Sequence, residues 1–177
     1  MTNLHLFYEL LFQLLVIPEI GDLFSPIEGF ICLDSALDLN AYAKSLPRVF
    51  EFTRLDLTEN LISARKALSG LSGVYAVICD VTGAIYIGSS ANLGVRIRDH
   101  IIASTNAHLR NAIDKHGAKN FIFIVIELVE QNPDLDSEEN KANLLAREQH
   151  WLNWLFALPA QFRYNFSAGQ PRGLASG

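Results

Sequence analysis

Two tyrosines on either side of a predicted turn are the first residues of this chain whose spacing could serve chemistry. Residues 74–88 have the composition of a β-hairpin, with Gly83 in its turn. In the register that a short turn allows, Tyr75 and Tyr86 share one face as diagonal neighbours, about 7–8 Å apart at the backbone. Gly88, opposite Tyr75, is expected to leave an open space beside both phenols. The simpler alternative is that the tyrosines only cap the edge of a core.

A cation and an imidazole follow directly after this hairpin. Arg96 and His100 are four residues apart, so a helix would project both side chains toward one place. Ser89-Ser90 is the expected N-cap of that helix, and apolar residues at 93, 97 and 101 form its core stripe. The alternative interpretation is an ordinary solvated helix face.

A carboxylate lies on the inward face of a later helix. The sequence of residues 136–139 is that of a capping box, which predicts a helix that reaches about residue 157. Glu148 falls within the apolar stripe of this helix, where a carboxylate is costly unless it is paired or bound to a metal. Three interpretations stay open: a salt bridge, for example with Arg147 or Arg96, a position at the edge of the stripe, and a functional site.

The remaining elements complete an α+β arrangement. Residues 58–68 are a predicted helix with Thr58 as its cap, and Asn106 caps another, over residues 107–116. The apolar run of residues 121–129 predicts a buried third strand. The order hairpin, two helices, strand and long helix predicts a small three-stranded antiparallel sheet flanked by helices, although other α+β arrangements share this order.

Small residues at 69–73 divide the chain. We expect a partly helical N-terminal extension over residues 1–69, a domain over 70–166 and a disordered tail over 167–177. The apolar stretch at 4–17 is too short to span a bilayer and lacks the marks of a signal peptide, so a packed amphipathic helix or a loosely attached extension is expected.

The charge balance restricts the kind of partner. With 14 Lys and Arg against 19 Asp and Glu, the net charge is −5, which excludes a protein whose whole surface grips nucleic acid. Between residues 92 and 120, however, there are five basic and two acidic residues, which gives this segment a local net charge of +3. The alternative is that the charged residues lie on ordinary solvated faces and bind no partner. Cys32 and Cys79 cannot build a disulfide framework, so a reducing compartment is the default.

In combination, these residues resemble the signature of a nuclease family. Gly73-Val74-Tyr75 followed by Tyr86-Ile87-Gly88 is similar to the two-part signature of GIY-YIG nucleases, with Val74 in place of the family's Ile. The family's later elements follow in order, namely Arg96, His100, Glu148 and Asn165. The resemblance covers about residues 70–166, and its finer features are similar to the intron-encoded homing endonucleases of fungal mitochondria.

The resemblance implies hydrolysis of DNA phosphodiester bonds at one divalent metal ion, Mg²⁺ or Mn²⁺. Glu148 matches the family's metal ligand, and Arg96 the residue that stabilises negative charge on the phosphate. Tyr75 matches the general base or water-positioning phenol, a role that needs help because an ordinary tyrosine has a pKa of about 10. A neighbouring cation or a neutral His100 could provide that help.

The resemblance also implies substrate contacts, a partner and a location in the cell. Tyr86 matches a phosphate or leaving-group contact, and Asn165 a framework residue of the active site. Gly88, Arg98 and Arg110 are the predicted substrate-binding residues. The implied partner is double-stranded DNA, with no membrane, and a monomer is expected. Location in the mitochondrion follows from the resemblance only.

The C-terminal sequence departs from the homing relatives, which continue into a basic DNA-binding region. Here 12 residues follow Asn165, with Arg172 as their one cation. Three functions therefore stay open: an intron-homing endonuclease truncated of its recognition tail, a catalytically idle DNA-binding or relic domain, and a repair or junction nuclease that takes its specificity from a partner.

Overall fold

An antiparallel sheet with helices on both faces organises the chain. The computed structural model describes residues 41–104 and 106–166. The expected helix within residues 4–17, Cys32 and the tail at 167–177 lie outside the described residues. In chain order the elements are α1 (Ala41–Ser45), β1 (Phe50–Phe52), α2 (Thr58–Ala67), β2 (Gly73–Cys79), β3 (Ile85–Ser90), α3 (Leu93–Ala103), α4 (Ala107–His116), β4 (Phe121–Leu128) and α5 (Ser137–Phe156).

The sheet has four strands in the order β1-β4-β2-β3, with every pairing antiparallel. The three predicted strands are present, but the predicted strand number is one too low because Phe50–Phe52 pairs with β4. Three residues are too few to show an alternating pattern, and their pairing partner is remote in sequence. Residues 41–69 thus contribute one strand and two helices to the packed structure.

The predicted hairpin register is confirmed. Tyr75 lies opposite Gly88, and Val77 lies opposite Tyr86. The turn is closed by a hydrogen bond from the Gly83 amide to the Cys79 carbonyl, 2.8 Å long, and Gly83 has the positive φ of 68° that favours glycine.

Each face of the sheet carries its own apolar layer, because successive strand side chains point to opposite faces. Tyr75 and Val77 belong to the layer under α2, α3 and α4. Ala76 and Ile78 belong to the layer under α1 and α5. The tyrosine hairpin therefore has one helix group on each side. Across the described parts of the chain, no helix is both long and apolar enough to cross a membrane.

The helix ends agree with the sequence predictions in two cases and differ in two. Asn106 caps α4, and the capping box of α5 is complete. The cap of α3 is Asn92 rather than Ser89-Ser90, because β3 continues through both serines. Thr58 is the first residue of α2 rather than its cap.

The segment after α5 returns to the free edge of β3. The Tyr164 amide donates to the Ile85 carbonyl over 2.8 Å. The side-chain amide of Asn165 then both accepts from the Ile87 N–H (2.9 Å) and donates to the Ile87 carbonyl (2.8 Å). This carboxamide completes the hydrogen bonding that a neighbouring strand would otherwise supply, and it fixes the backbone between Tyr86 and Gly88.

Candidate active site

The hydroxyl group of Tyr75 joins three of the predicted site residues. Its oxygen lies 2.6 Å from Nε2 of His100 and accepts a hydrogen bond from Nε of Arg96 over 3.1 Å. The ring is fully buried and stacks on Phe123, with 5.0 Å between centroids. The i and i+4 positions on α3 therefore do bring the cation and the imidazole to one side, as the spacing predicts.

Tyr86 and Gly88 complete the strand side of this cluster. The Tyr86 ring lies 6.3 Å from the Tyr75 ring and 5.0 Å from the His100 ring, between centroids. The space over Gly88 is not open, contrary to expectation. A Cβ at Gly88 would lie 2.6 Å from the Tyr75 oxygen. Because Gly88 has no side chain, the Tyr75 phenol can lie over β3 at this position.

Gly88→Ala is expected to displace the Tyr75 hydroxyl from His100. The added methyl would also meet Cζ of Tyr75 at 2.9 Å and Cε1 of Tyr86 at 3.1 Å. We expect a loss of about 1–3 kcal/mol in the free energy of unfolding and about 100-fold in any nuclease activity. Adding Tyr75→Phe removes the closest clashing atom, so the double variant should lose less stability than the sum of the two single variants, and it should remain inactive. Wild-type stability and activity in Gly88→Ala would contradict this account.

Burial and mutual contact set the protonation states. Burial raises the pKa of Tyr75 well above its ordinary value of 10, Tyr86 adds to the rise, and Arg96 opposes it. Burial and the Arg96 charge lower the pKa of His100 from 6.5 to about 4. At neutral pH the cluster therefore holds a neutral phenol, a neutral imidazole and a charged guanidinium.

His100 should make the protein sensitive to acid. Its pKa is lower in the folded state than in the unfolded state, so its contribution to stability is present above pH 6.5 and is lost as the pH falls toward 4. The shift corresponds to about 3 kcal/mol. Urea titrations between these pH values should show the loss, and His100→Gln should remove it. His108→Gln, an exposed site on α4, is the matched control. An unchanged slope in His100→Gln would refute the assignment.

Glu148 approaches the cluster from the other face of the sheet. One carboxylate oxygen accepts a hydrogen bond from the Ser89 hydroxyl, 2.5 Å away at the end of β3. The carboxylate is near enough to Tyr75 to raise the pKa of that phenol. The salt bridge with Arg147 that the sequence left open does not form, because Arg147 donates to both oxygens of Glu127 (2.7 and 3.0 Å).

The Glu127–Arg147 pair anchors α5 to the sheet. Trp151 also donates its indole N–H to Glu127 over 2.8 Å. Burial alone would raise the pKa of Glu127, but the hydrogen bonds from Arg147 and Trp151 outweigh it and hold the pKa below its usual value. These contacts fix the rotation of α5 about its axis, which directs the half-buried Glu148 toward Ser89.

The donor set near Glu148 restricts the metal that could bind. One half-buried carboxylate lies beside a serine hydroxyl. Within residues 41–104 and 106–166, no three His, Cys, Asp or Glu side chains gather as a metal cage. Zinc and calcium sites usually need such a set. Magnesium keeps most of its water and binds proteins through one or two carboxylates, so these residues fit it.

The other predicted residues lie outside this cluster. Asn165 holds the backbone of β3, which agrees with a framework role. Arg98 is exposed, two positions beyond Arg96 on α3, and pairs with Asp99 at 3.0 Å. Arg110 is exposed on α4.

Sequence reasoning missed two serines of the site. Ser89, which holds Glu148, is a strand-end residue facing α5, whereas the sequence pattern predicts a helix cap there. Ser104 is buried and lies 3.3 Å from Nδ1 of His100. Its position four residues after the histidine was the available signal.

Known proteins resemble the chain over part of its length. "Probable intron-encoded endonuclease bI1" of Neurospora crassa is 36% identical over 88 residues, which cover 48% of this chain and 19% of that protein. "Probable intron-encoded endonuclease 1" of the same species is 30% identical over 80 residues, which cover 45% of this chain and 26% of that protein. The chain thus spans about a fifth to a quarter of the length of these relatives.

A solved structure and a family model also match part of the chain. A mutant form of the catalytic domain of intron endonuclease I-TevI aligns with a TM-score of 0.45 and 19% identity, over 56% of this chain and 97% of that one. The sequence model of the GIY-YIG catalytic domain matches residues 71–165. This match takes in more than half of the chain and every residue of the cluster. The chain therefore belongs to the GIY-YIG family.

Proposed function

We propose that this protein is a metal-dependent endonuclease that hydrolyses phosphodiester bonds of double-stranded DNA. The observation that carries the proposal is the Tyr75 hydroxyl, held between Arg96 and His100 with Glu148 near it. Residues 70–166 are the proposed nuclease domain. Mg²⁺, with Mn²⁺ as substitute, is the proposed metal, held by Glu148. When bound, it would polarise the phosphate and stabilise its developing charge.

The protein groups supply a path for the proton of the attacking water. Water gives a proton to the Tyr75 oxygen while Tyr75 passes its own hydrogen to Nε2 of His100, so a hydroxide forms, the phenol is restored and His100 becomes imidazolium. The hydroxide attacks phosphorus, the bond to the leaving oxygen breaks, and that oxygen takes a proton from solvent. His100 returns its proton to solvent and is neutral again. The raised pKa of Tyr75 disfavours a free phenolate, so a concerted double transfer suits this site better than a preformed base.

Arg96 is proposed to act on the phosphate and on access to the phenol. Tyr75 has no exposed surface, whereas Arg96 is half-buried over its oxygen. A phosphate that draws the guanidinium outward would be held by fixed N–H donors. The same movement would admit water to Tyr75. Substrate binding would thereby create the reactive arrangement, with Tyr86 as a further contact to the phosphate or leaving group.

The biological setting is proposed from the resemblance and the relatives. Sequence similarity to the two intron-encoded endonucleases favours an intron-homing role and location in the mitochondrion. Arg98 and Arg110 are proposed as contacts to DNA phosphates, and a monomer as the working form.

The test is nicking of supercoiled plasmid by the full chain. We expect relaxation of the plasmid with Mg²⁺ and none after chelation of the metal. A folded protein that shows no cleavage at any Mg²⁺ or Mn²⁺ concentration would refute the proposal. Binding of DNA without cleavage would support the alternative of a catalytically idle domain, which the complete burial of Tyr75 favours. Cleavage confined to branched DNA would support a junction nuclease.

A further inference from the structure

A buried serine on the far side of His100 forms a second contact to its ring. Ser104 Oγ lies 3.3 Å from Nδ1 of His100, and only 3% of Ser104 is exposed. The same hydroxyl is 3.4 Å from the Asn106 carbonyl and 3.3 Å from the Asn106 amide nitrogen. His100 is thus held at both ring nitrogens, by Tyr75 on one side and by Ser104 on the other.

The donors and acceptors around Ser104 allow Nδ1 of His100 to be the donor in its contact with the serine. A hydroxyl has one hydrogen and two lone pairs. In one arrangement the hydrogen goes to the Asn106 carbonyl, which also accepts from the Arg110 amide, and one lone pair accepts from the Asn106 N–H. The remaining lone pair can only accept. In this arrangement Nδ1 of His100 carries its hydrogen and Nε2 keeps a free lone pair, whereas a Ser104 hydroxyl that donated to Nδ1 would reverse the two.

The contacts on the Tyr75 side require the same tautomer. Arg96 can only donate, so its Nε–H occupies one lone pair of the phenol oxygen. If Nε2 of His100 carried a hydrogen, neither Arg96 nor His100 could accept the hydrogen of the Tyr75 hydroxyl. With Nε2 unprotonated, Tyr75 donates to it over 2.6 Å. A buried hydroxyl without a partner costs about 1–3 kcal/mol, so this cost favours the Nδ1–H tautomer of His100 over the Nε2–H tautomer.

We propose that Ser104 is a positioning residue that holds His100 in its Nδ1–H tautomer, with the Nε2 lone pair aimed at the Tyr75 hydroxyl. The catalytic part of this inference rests on the proposed function, whereas the tautomer itself does not. The titratable or charged groups that face His100 are Tyr75 from β2, Tyr86 from β3, and Arg96 and Asp99 from α3. Ser104 is the group that contacts the nitrogen remote from Tyr75.

Ser104 also joins the helix of His100 to the rest of the framework. Asn106, its partner, caps α4 by accepting from the Leu109 amide at 2.9 Å and donates to the Tyr164 carbonyl at 3.2 Å. Tyr164 and Asn165 hold the edge of β3. The orientation of the imidazole is thereby set by the same hydrogen-bonded chain that fixes the strand carrying Tyr86.

The test reads the tautomer directly in the full chain. With ¹⁵N-labelled histidine, two-bond ¹H–¹⁵N spectra near neutral pH show which ring nitrogen carries hydrogen, and the signal missing in His100→Gln identifies His100. We expect Nδ1–H in the wild type and its retention in Ser104→Thr, which keeps the hydroxyl. In Ser104→Ala we expect a mixture of both tautomers, because a buried Nδ1–H without an acceptor offsets the gain from the Tyr75 contact. Nicking should fall about 10- to 100-fold in Ser104→Ala and recover in Ser104→Thr.

Ser72→Ala is the matched control, because Ser72 is buried and its hydroxyl has no hydrogen-bond partner among the described residues. It should change neither the spectrum nor the nicking rate. An Nε2–H tautomer in the wild type, or an unchanged His100 spectrum in Ser104→Ala, would overturn the proposal. If the spectra behave as expected but no variant, nor the wild type, cleaves DNA, the tautomer assignment stands and the proposed function fails.

Discussion

Replacing Glu148 by glutamine should reduce plasmid nicking by about 1,000-fold, because it removes the negative charge proposed to hold the metal. Loss of several kcal/mol of charge stabilisation corresponds to this factor. The change is nearly isosteric, and the amide oxygen can still accept from Ser89. Stability should therefore change little. The measurement is the initial nicking rate over a series of Mg²⁺ concentrations, together with a thermal melt of the same protein.

Glu138→Gln provides the control for this variant. Glu138 lies on the same helix, with a side chain that is 80% exposed, and its replacement should leave the nicking rate unchanged. If Glu148→Gln nicks DNA as fast as the wild type at every Mg²⁺ concentration, Glu148 is not the metal ligand. The carboxylate beside Ser89 would then be a structural contact between α5 and β3.

Tyr75→Phe should reduce nicking by about 100- to 10,000-fold, the range that a positioned acid–base group contributes. The variant keeps the stacking on Phe123 but removes the oxygen between water and His100. It also leaves Nε of Arg96 and Nε2 of His100 without their shared partner, which should cost about 1–3 kcal/mol of stability. Single-turnover nicking rates and urea unfolding measure the two effects separately.

Tyr42→Phe is the control for the loss of a phenol oxygen. Tyr42 lies in α1 on the other face of the sheet, with its ring 5.3 Å from that of Phe162, and its replacement should not alter nicking. Wild-type activity in Tyr75→Phe would show that the attacking water loses its proton elsewhere. The Tyr75–His100 contact would then serve only to pack α3 against the sheet.

Local patterns in the sequence predicted much of this arrangement. The pairing of Tyr75 with Gly88 depends only on a short turn and on strand alternation. The joint approach of Arg96 and His100 depends only on helical spacing. The capping box that begins α5 is likewise complete within four residues. Each of these features involves groups that are close in sequence, so few alternatives compete with them.

The features that the sequence did not reveal depend on contacts between remote segments. Phe50–Phe52 becomes a strand only because β4 offers it an edge. The pattern at Ser89 predicts a helix cap because nothing local shows that β3 continues through this residue, or that Glu148 lies opposite it. The Tyr75 phenol fills the space over Gly88 because packing on Phe123 sets the tilt of its ring. Phe123 is remote in sequence, so the local pattern does not show this.

The hairpin that carries both tyrosines should form early when the chain folds. It closes a very short loop, so it costs little chain entropy and can form within about 1–10 μs. The Ser89–Glu148 contact joins residues 59 positions apart, and the Ile87–Asn165 contacts join residues 78 positions apart. Such non-local contacts form later, after more chain entropy has been lost. We therefore expect the phenol pair to assemble first, whereas the carboxylate reaches it only when the rest of the molecule has folded.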